Sequence, residues 1–141
     1  MMSDSKHFDV AIVGCGPTGA TLALLLARYG VRTVIIDKAL DIYPLPRAVH
    51  FDDEIMRIFQ NAGVAETLEP YLHVNAGMRF LDQKQELLLD WPRPQEVTSQ
   101  GWHASYRVHQ PDLEKILRHR ISETSSIEMY LGAVVDAIKE E

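Results

Sequence analysis

The stretch Val13–Gly19, VGCGPTG, carries three glycines at the spacing G-x-G-x-x-G. This spacing alone is weak, because glycine is common in turns, and its meaning depends on the flanking elements. Before it, residues 7–13 (HFDVAIV) predict a short buried strand. After it, residues 20–27 are apolar nearly all round, which is typical of a helix packed on a sheet. The order strand, glycines, helix therefore predicts a phosphate-binding turn.

A second strand and an acid follow at the expected distance. Gly30 ends the predicted helix, and residues 31–36 (VRTVII) predict a β-branched strand that leads to Asp37, eighteen residues after Gly19. In a dinucleotide-binding βαβ unit, an acid at this position accepts hydrogen bonds from ribose hydroxyls. The sequence therefore predicts an α/β, Rossmann-like domain with a parallel sheet and a dinucleotide at the turn.

Each glycine of the motif has its own mechanical reason. Gly14 permits the sharp turn out of the strand, Gly16 leaves room for a pyrophosphate, and Gly19 lets the helix pack close to the strand. Cys15, the only cysteine, occupies a variable position of the motif. We expect it to fill space, with a redox role as the less favoured alternative.

The rest of the chain predicts a mixture of helices and strands. A helix is predicted over residues 52–61, with Ile55, Ile58 and Phe59 on its inward face. The acids that open this helix suit its dipole, and acid–base chemistry is the alternative. Further elements are predicted as a hairpin of strands 78–81 and 86–91, a loop over 91–100, a helix with Pro111 in its first turn, a strand over 126–131 and the beginning of another over 133–138.

Composition restricts the partners and the location. Fourteen basic and twenty acidic residues among 141 leave a net charge of −6, which argues against nucleic acid and anionic membrane surfaces. The single cysteine, the lack of an apolar run of membrane-spanning length and a start without a secretory signal predict a cytoplasmic location. The six histidines lack metal-ligand spacing, so no metal is predicted.

Three segments in a fixed order resemble one enzyme family. They are GCGPTGATLALLLARYGVRTVIIDK (14–38), PRAVHFDDEIMRIFQNAG (46–63) and RVHQPDLEKIL (107–117). Together they resemble the class A flavin monooxygenases, the para-hydroxybenzoate hydroxylase family, and within it the branch of the 3-(3-hydroxyphenyl)propionate hydroxylases. This resemblance covers residues 8–138.

The resemblance implies FAD as the cofactor and a set of residues that bind it. His50 facing the flavin edge is an alternative to a structural role for that residue, and no catalytic residue is assigned. The cofactor-binding positions implied by the family are Gly14, Gly16, Pro17, Thr18, Gly19, Asp37, Lys38, Arg47, Arg107 and Gln110.

The activity implied by the resemblance is hydroxylation of a small phenolic compound with O2 and NADH or NADPH. Residues 74–104 are expected to be a hairpin and loop insertion directed toward a substrate domain. The family's later Gly-Asp motif and most of its substrate domain have no counterpart, so the chain is expected to be the amino-terminal part of a longer enzyme.

Two alternatives from other classes stay open. One is the NAD-binding domain of a dehydrogenase, because the glycine motif serves both cofactors. The other is a non-catalytic nucleotide-binding or assembly module. Its homo-oligomers would form through the unpaired edge of the strand predicted over 133–138.

Overall fold

The computed structural model describes residues 6–140, in which two sheets and a separate hairpin are combined with four α-helices. In chain order the elements are β1 (Val10–Val13), α1 (Pro17–Ala27), β2 (Thr33–Asp37), β3 (His50–Asp52), α2 (Asp53–Asn61), α3 (Ala65–Leu68), a 3-10 turn (Glu69–Tyr71), β4 (His73–Val74), β5 (Gly77–Leu81), β6 (Leu87–Pro92), β7 (Ser105–Arg107), α4 (Gln110–Ser122) and β8 (Ile127–Leu131).

The first sheet is parallel, with the strand order β1-β2-β8. Helix α1 connects β1 to β2, so these three elements form the βαβ unit that the sequence predicts. Strand β2 lies in the middle, and its first three residues are buried, as expected of a β-branched strand with neighbours on both sides. The α/β fold with a parallel sheet is therefore confirmed.

The second sheet is antiparallel, with the order β3-β7-β4, and the hairpin β5–β6 stands apart from it. The core connects both sheets through apolar residues of α1, α2 and α4. Phe51 of β3 belongs to this core, with its ring 5.3 Å from that of Phe59 and 5.7 Å from that of Tyr106. This aromatic cluster anchors α2 to the second sheet.

The loop between β6 and β7 is attached to α2 by side-chain hydrogen bonds. The Thr98 hydroxyl donates to the Asp53 carboxylate (2.6 Å), and the Trp102 indole donates to the Gln60 side chain (3.2 Å). Asp53 thus has a structural role at the start of α2, where it holds the loop through Thr98. The assignment of residues 74–104 to a substrate-side insertion stays a prediction.

The prediction of a strand over residues 133–138 is wrong. The chain turns at Gly132 (φ 74°), and the Ala133 N–H donates to the Asp37 carbonyl (3.0 Å). Beyond that point Val134 and Ile138 are 74% and 86% exposed, and residues 133–140 form no strand. An apolar run with β propensity becomes a strand only when a neighbour supplies hydrogen bonds. The proposed association through this edge loses its basis.

The predicted inward face of α2 is correct for Phe59 and wrong for the two isoleucines. Met56 and Phe59 are 0% and 4% exposed, whereas Ile55 and Ile58 are 37% and 36% exposed. The buried stripe is therefore displaced by one position, and Ile55 and Ile58 line a groove instead. Single-helix periodicity does not distinguish a face packed on the core from one bordering an open groove.

Within residues 6–140, every helix is too short or too polar to cross a lipid bilayer. The same residues hold no group of three or more His, Cys, Asp or Glu side chains arranged to bind a metal ion. The first five residues, which enter the prediction that no secretory signal is present, lie outside the described part of the chain.

Candidate functional site

The three motif glycines occupy different environments at the junction of β1 and α1. Gly14 has φ of 110°, a conformation that side chains rarely adopt, and its N–H donates to the Ile36 carbonyl (2.7 Å). A Cβ at Gly19 would collide with the Gly14 carbonyl oxygen, whereas a Cβ at Gly16 would have no atom within 4 Å. The turn at Gly14, the close packing at Gly19 and the open space at Gly16 therefore match the roles predicted for these glycines from the sequence.

Helix α1 begins at this open position. Gly16 is its N-cap and has no side chain to accept a hydrogen bond, and Pro17 follows with the fixed φ suited to a first turn. The first i to i−4 bond runs from the Ala20 N–H to the Gly16 carbonyl (3.0 Å). The N–H groups of Thr18 and Gly19 therefore precede the helical ladder and are available, with the positive dipole end, to an anion. Pro17 and Thr18 thus belong to the candidate anion site.

Asp37 ends β2 beside the same turn. One carboxylate oxygen accepts the Cys15 N–H (2.6 Å) and the other accepts the Ala39 N–H (2.8 Å). Burial opposes ionisation, but these two N–H donors, with Arg118 and Lys38 nearby, outweigh it and lower the pKa of Asp37. The ionised side chain is therefore fixed next to the glycine turn, and its remaining lone pairs can accept ribose hydroxyls.

Cys15 is buried between the turn and β8, with its sulfur 3.5 Å from that of Met129. Burial raises the pKa of its thiol, although the Arg118 charge opposes the change. A buried thiol with a raised pKa is a poor nucleophile, which agrees with the space-filling role expected for it.

Gln110 holds the segment that carries Arg47. Its side-chain oxygen accepts both the Arg47 and Ala48 N–H groups (2.8 Å each), and its amide nitrogen donates to the Glu114 carboxylate (2.7 Å). Gln110 and Glu114 are buried, so this hydrogen-bonded pair fixes the loop to the start of α4. The sequence singled out Gln110 but missed Glu114, whose position one turn later on the same helix was the available signal.

Arg47 and Lys38 are both exposed. The Arg47 guanidinium stacks on the Tyr43 ring, 5.2 Å from its centroid, and the Lys38 side chain is exposed to solvent. Their cofactor contacts stay predictions.

Arg107 lies farther from the glycine turn. Its Nε donates to the Asn75 side-chain oxygen (3.1 Å) and its Nη2 to the Gly77 carbonyl (3.1 Å). These contacts connect β7 to the base of the hairpin, and a cofactor role for Arg107 stays a prediction. Asn75 and the adjoining Ser105 are buried polar residues that sequence reasoning missed, because their partners lie far along the chain.

An open groove of about 440 Å³ lies beside the N-terminus of α1. Its walls come from α1, β3, α2 and the start of α4. They are mostly apolar, with a few polar groups close to the turn. Lining residues include Thr18, Leu22, His50, Phe51, Ile55 and Gln110. A concave apolar surface that adjoins an anion-binding helix end suits a ligand with both a phosphate and a flat ring.

Comparison with known proteins gives consistent results. The sequence profile of the family described as "FAD binding domain" matches residues 7–141. A probable NADH-specific resorcinol 4-hydroxylase of Rhodococcus jostii is 40% identical over 96% of this chain. A 3-(3-hydroxy-phenyl)propionate/3-hydroxycinnamic acid hydroxylase of Burkholderia vietnamiensis is 37% identical over 100% of it. The resemblance seen in the sequence is therefore confirmed, and a dehydrogenase is not favoured.

Solved structures share the fold. A mutant of Pseudomonas aeruginosa PqsL superposes with a TM-score of 0.79 at 26% identity, covering 96% of this chain and 36% of that one. The p-nitrophenol 4-monooxygenase PnpA of Pseudomonas putida superposes with a TM-score of 0.82 at 19% identity, covering 94% and 33%.

The chain spans about a quarter of the length of its curated relatives, 26% for each of the two hydroxylases above. The matched part contains the glycine turn, Asp37 and the groove, and the family profile extends over nearly all of it. The chain therefore belongs to the FAD binding domain family.

Proposed function

We propose that this chain binds FAD at the glycine turn and is the amino-terminal part of an NAD(P)H-dependent monooxygenase that hydroxylates a phenolic compound. The observation that carries this proposal is the cradle at Gly16, where an added Cβ would meet nothing within 4 Å, directly before the N-terminus of α1. Asp37, fixed beside it by the Cys15 N–H, supplies the acceptor that a ribose requires.

The residues present fit the cofactor in three places. The N–H groups of Thr18 and Gly19 would hold the pyrophosphate, Asp37 would hold the adenosine ribose, and Lys38 would lie near the adenosine. Arg47, on the segment fixed by Gln110, would add positive charge near the phosphates. The flavin, when bound, supplies the electron and oxygen chemistry, and this chain's residues bind it, orient it and exclude water.

The substrate class and the reductant are proposed from the relatives. Both curated hydroxylases are named for phenolic substrates, which supports a small phenol with O2 as the co-substrate. The Rhodococcus jostii relative is named as NADH-specific, and we propose NADH for the enzyme that contains this chain. The cytoplasmic location and the homo-oligomer stay predictions.

The proposal is tested by titrating the chain with FAD while following flavin fluorescence and absorbance. Gly16→Val should abolish the saturable change while circular dichroism stays unaltered, because the added side chain points into open space where the pyrophosphate must lie. Ala137→Val, which creates the same side chain at an exposed site by adding two carbon atoms rather than three, is the control. Equal FAD affinity in the wild type and Gly16→Val would refute the proposed site.

A further inference from the structure

A chain of hydrogen bonds runs from the base of the hairpin to the wall of the groove. Arg107 and the Gly77 N–H donate to the Asn75 side-chain oxygen (3.1 and 3.2 Å). The Asn75 amide nitrogen contacts the Ser105 hydroxyl (3.0 Å), and that hydroxyl contacts Nε2 of His50 (2.7 Å). Ser105 and Asn75 are 0% and 3% exposed, whereas His50 lines the groove.

The direction of each hydrogen bond follows from the groups that can only donate. A backbone N–H and a guanidinium N–H have no acceptor function, so the Asn75 atom that they share is its oxygen. The other amide atom is therefore the NH2 group, and it donates to the oxygen of Ser105. The orientation of the Asn75 amide is thus determined by its two obligatory donors.

The Ser105 hydroxyl then has one acceptor to which it can donate its proton. Its oxygen already accepts from Asn75, and among its contacts within residues 6–140 the remaining partner is Nε2 of His50. If Nε2 carried the proton instead, the fully buried hydroxyl would have a donor on each side and no acceptor, which is costly in a dry site. The neutral ring of His50 therefore accepts at Nε2 and carries its proton on Nδ1.

We propose that Asn75 and Ser105 are positioning residues that hold His50 on the groove wall as the Nδ1–H tautomer, a hydrogen-bond donor for an acceptor atom on a flat ring. Such an acceptor is carried both by the carbonyl edge of a flavin and by a phenolate oxygen. The ligand part of this inference rests on the proposed function, and the tautomer part does not.

The first experiment is nitrogen-15 NMR of the histidine side chains in the wild-type chain, with His50→Gln identifying the signals. At a pH where the ring is neutral, the wild type should show the Nδ1–H pattern for His50. Ser105→Ala should give a mixture of tautomers, because the donor to Nε2 is lost. Ser122→Ala removes the hydroxyl of an exposed serine in α4 that donates to the His119 carbonyl; it is the matched control and should leave the His50 pattern unchanged.

Asn75→Asp gives a sharper test, because it reverses the hydrogen-bond chain. A carboxylate at this position accepts the Ser105 proton, so the Ser105 oxygen must then accept from His50, and the proton moves from Nδ1 to Nε2. Arg107 provides a compensating charge next to this carboxylate. An Nε2–H pattern in the wild type, or the same tautomer in Asn75→Asp and the wild type, would overturn the inference.

The second experiment adds FAD or resorcinol to the same labelled chain. If the flavin is the ring ligand, FAD alone should shift the His50 Nδ1 signal, and Ser105→Ala should bind FAD roughly five- to tenfold more weakly. If the phenol is the ligand, the shift should require resorcinol. FAD binding that is lost in Gly16→Val but leaves His50 unmoved by either compound refutes the ligand part alone. Absence of even weak FAD binding at the highest flavin concentrations refutes the proposed function, and the tautomer pattern still decides the positioning part.

Discussion

Asp37 connects the fold and the candidate site through a single carboxylate. It accepts the N–H of Cys15, in the middle of the glycine motif, and the N–H of Ala39, just after β2. The hydrogen bond from the Cys15 N–H therefore fixes the proposed ribose acceptor relative to the glycine turn. The sequence motif alone does not show this contact. A change at Asp37 should consequently affect ligand binding and local stability together.

Replacement of Asp37 by alanine should weaken FAD binding by about 1–3 kcal/mol, the scale of a hydrogen bond to a charged group. The measurement is an FAD titration of Asp37→Ala beside Asp41→Ala, which removes an exposed carboxylate four residues later. Unchanged affinity in Asp37→Ala would remove this residue from the cofactor site.

The lowered pKa of Asp37 predicts a specific dependence of stability on pH. Because the folded pKa lies below the ordinary value of 3.8, the ionised side chain contributes stability that is complete above that value. The contribution is lost as the pH falls through the folded pKa. The difference in the free energy of unfolding between wild type and Asp37→Asn should be constant near neutral pH and shrink below about pH 4. A difference that grows on acidification would contradict the assignment.

At the scale of elements, the packing of α1 on β1 depends on the absence of a side chain at one position. The Gly14 carbonyl occupies the space that a Cβ of Gly19 would need, and the Ile12 side chain lies 3.2 Å from the same point. Helix α1 can therefore pack this closely on β1 only with glycine at position 19. The close packing sets the position of the α1 N-terminus beside the open space at Gly16.

Gly19→Ala should destabilise the chain by about 1–3 kcal/mol, since backbone rather than a flexible side chain must move. Gly16→Ala adds the same methyl group in open space and is the matched control for urea unfolding. Equal unfolding midpoints for the two variants would mean that the close approach of α1 is unimportant for stability.

Helix α2 has a side-chain cap that can be removed separately from the site. The Asp52 carboxylate accepts the Ile55 N–H (3.0 Å), so Asp52→Ala should cost about 1 kcal/mol of stability. Asp52→Asn keeps an acceptor and should recover most of this loss in the same urea experiment. If alanine and asparagine are equally destabilising, the cap is not the cause.

At the scale of the whole molecule, the groove and both sides of the hairpin are open in the described residues. Strand β6 is exposed along its entire length, including three consecutive leucines. The chain also spans about a quarter of its curated relatives. Contiguous exposed apolar surface of this kind marks a place where a ligand or another part of a protein packs.

The 141-residue chain alone should consequently purify with little bound flavin and hydroxylate no phenol. One end of the proposed cofactor site has defined contacts, whereas the groove has one open side, and every 1.4 kcal/mol of missing contact reduces affinity tenfold. An absorbance spectrum of the purified chain, followed by NADH oxidation with resorcinol, provides the test. Stoichiometric flavin with substrate-stimulated turnover would contradict this expectation.

The sequence by itself determined the βαβ unit, its phosphate-binding turn and the acid at Asp37. These features are local, because hydrophobic periodicity, glycine conformation and strand length are properties of short segments. The resemblance of three segments was enough to indicate the family. The resemblance also identified Gln110 as a candidate site residue, but it did not identify Glu114, to which the Gln110 amide donates.

Only the tertiary structure decided the features that depend on distant partners. Residues 133–138 have the composition of a strand, but residues 6–140 provide no neighbouring strand to pair with them. Ile55 and Ile58 border the groove because the core occupies the adjacent face of α2. Asn75 and Ser105 are thirty positions apart, and their hydrogen bond exists only once β4 and β7 are paired. Hydrogen-bond partners and burial are set by how the elements assemble, which no single segment of the sequence contains.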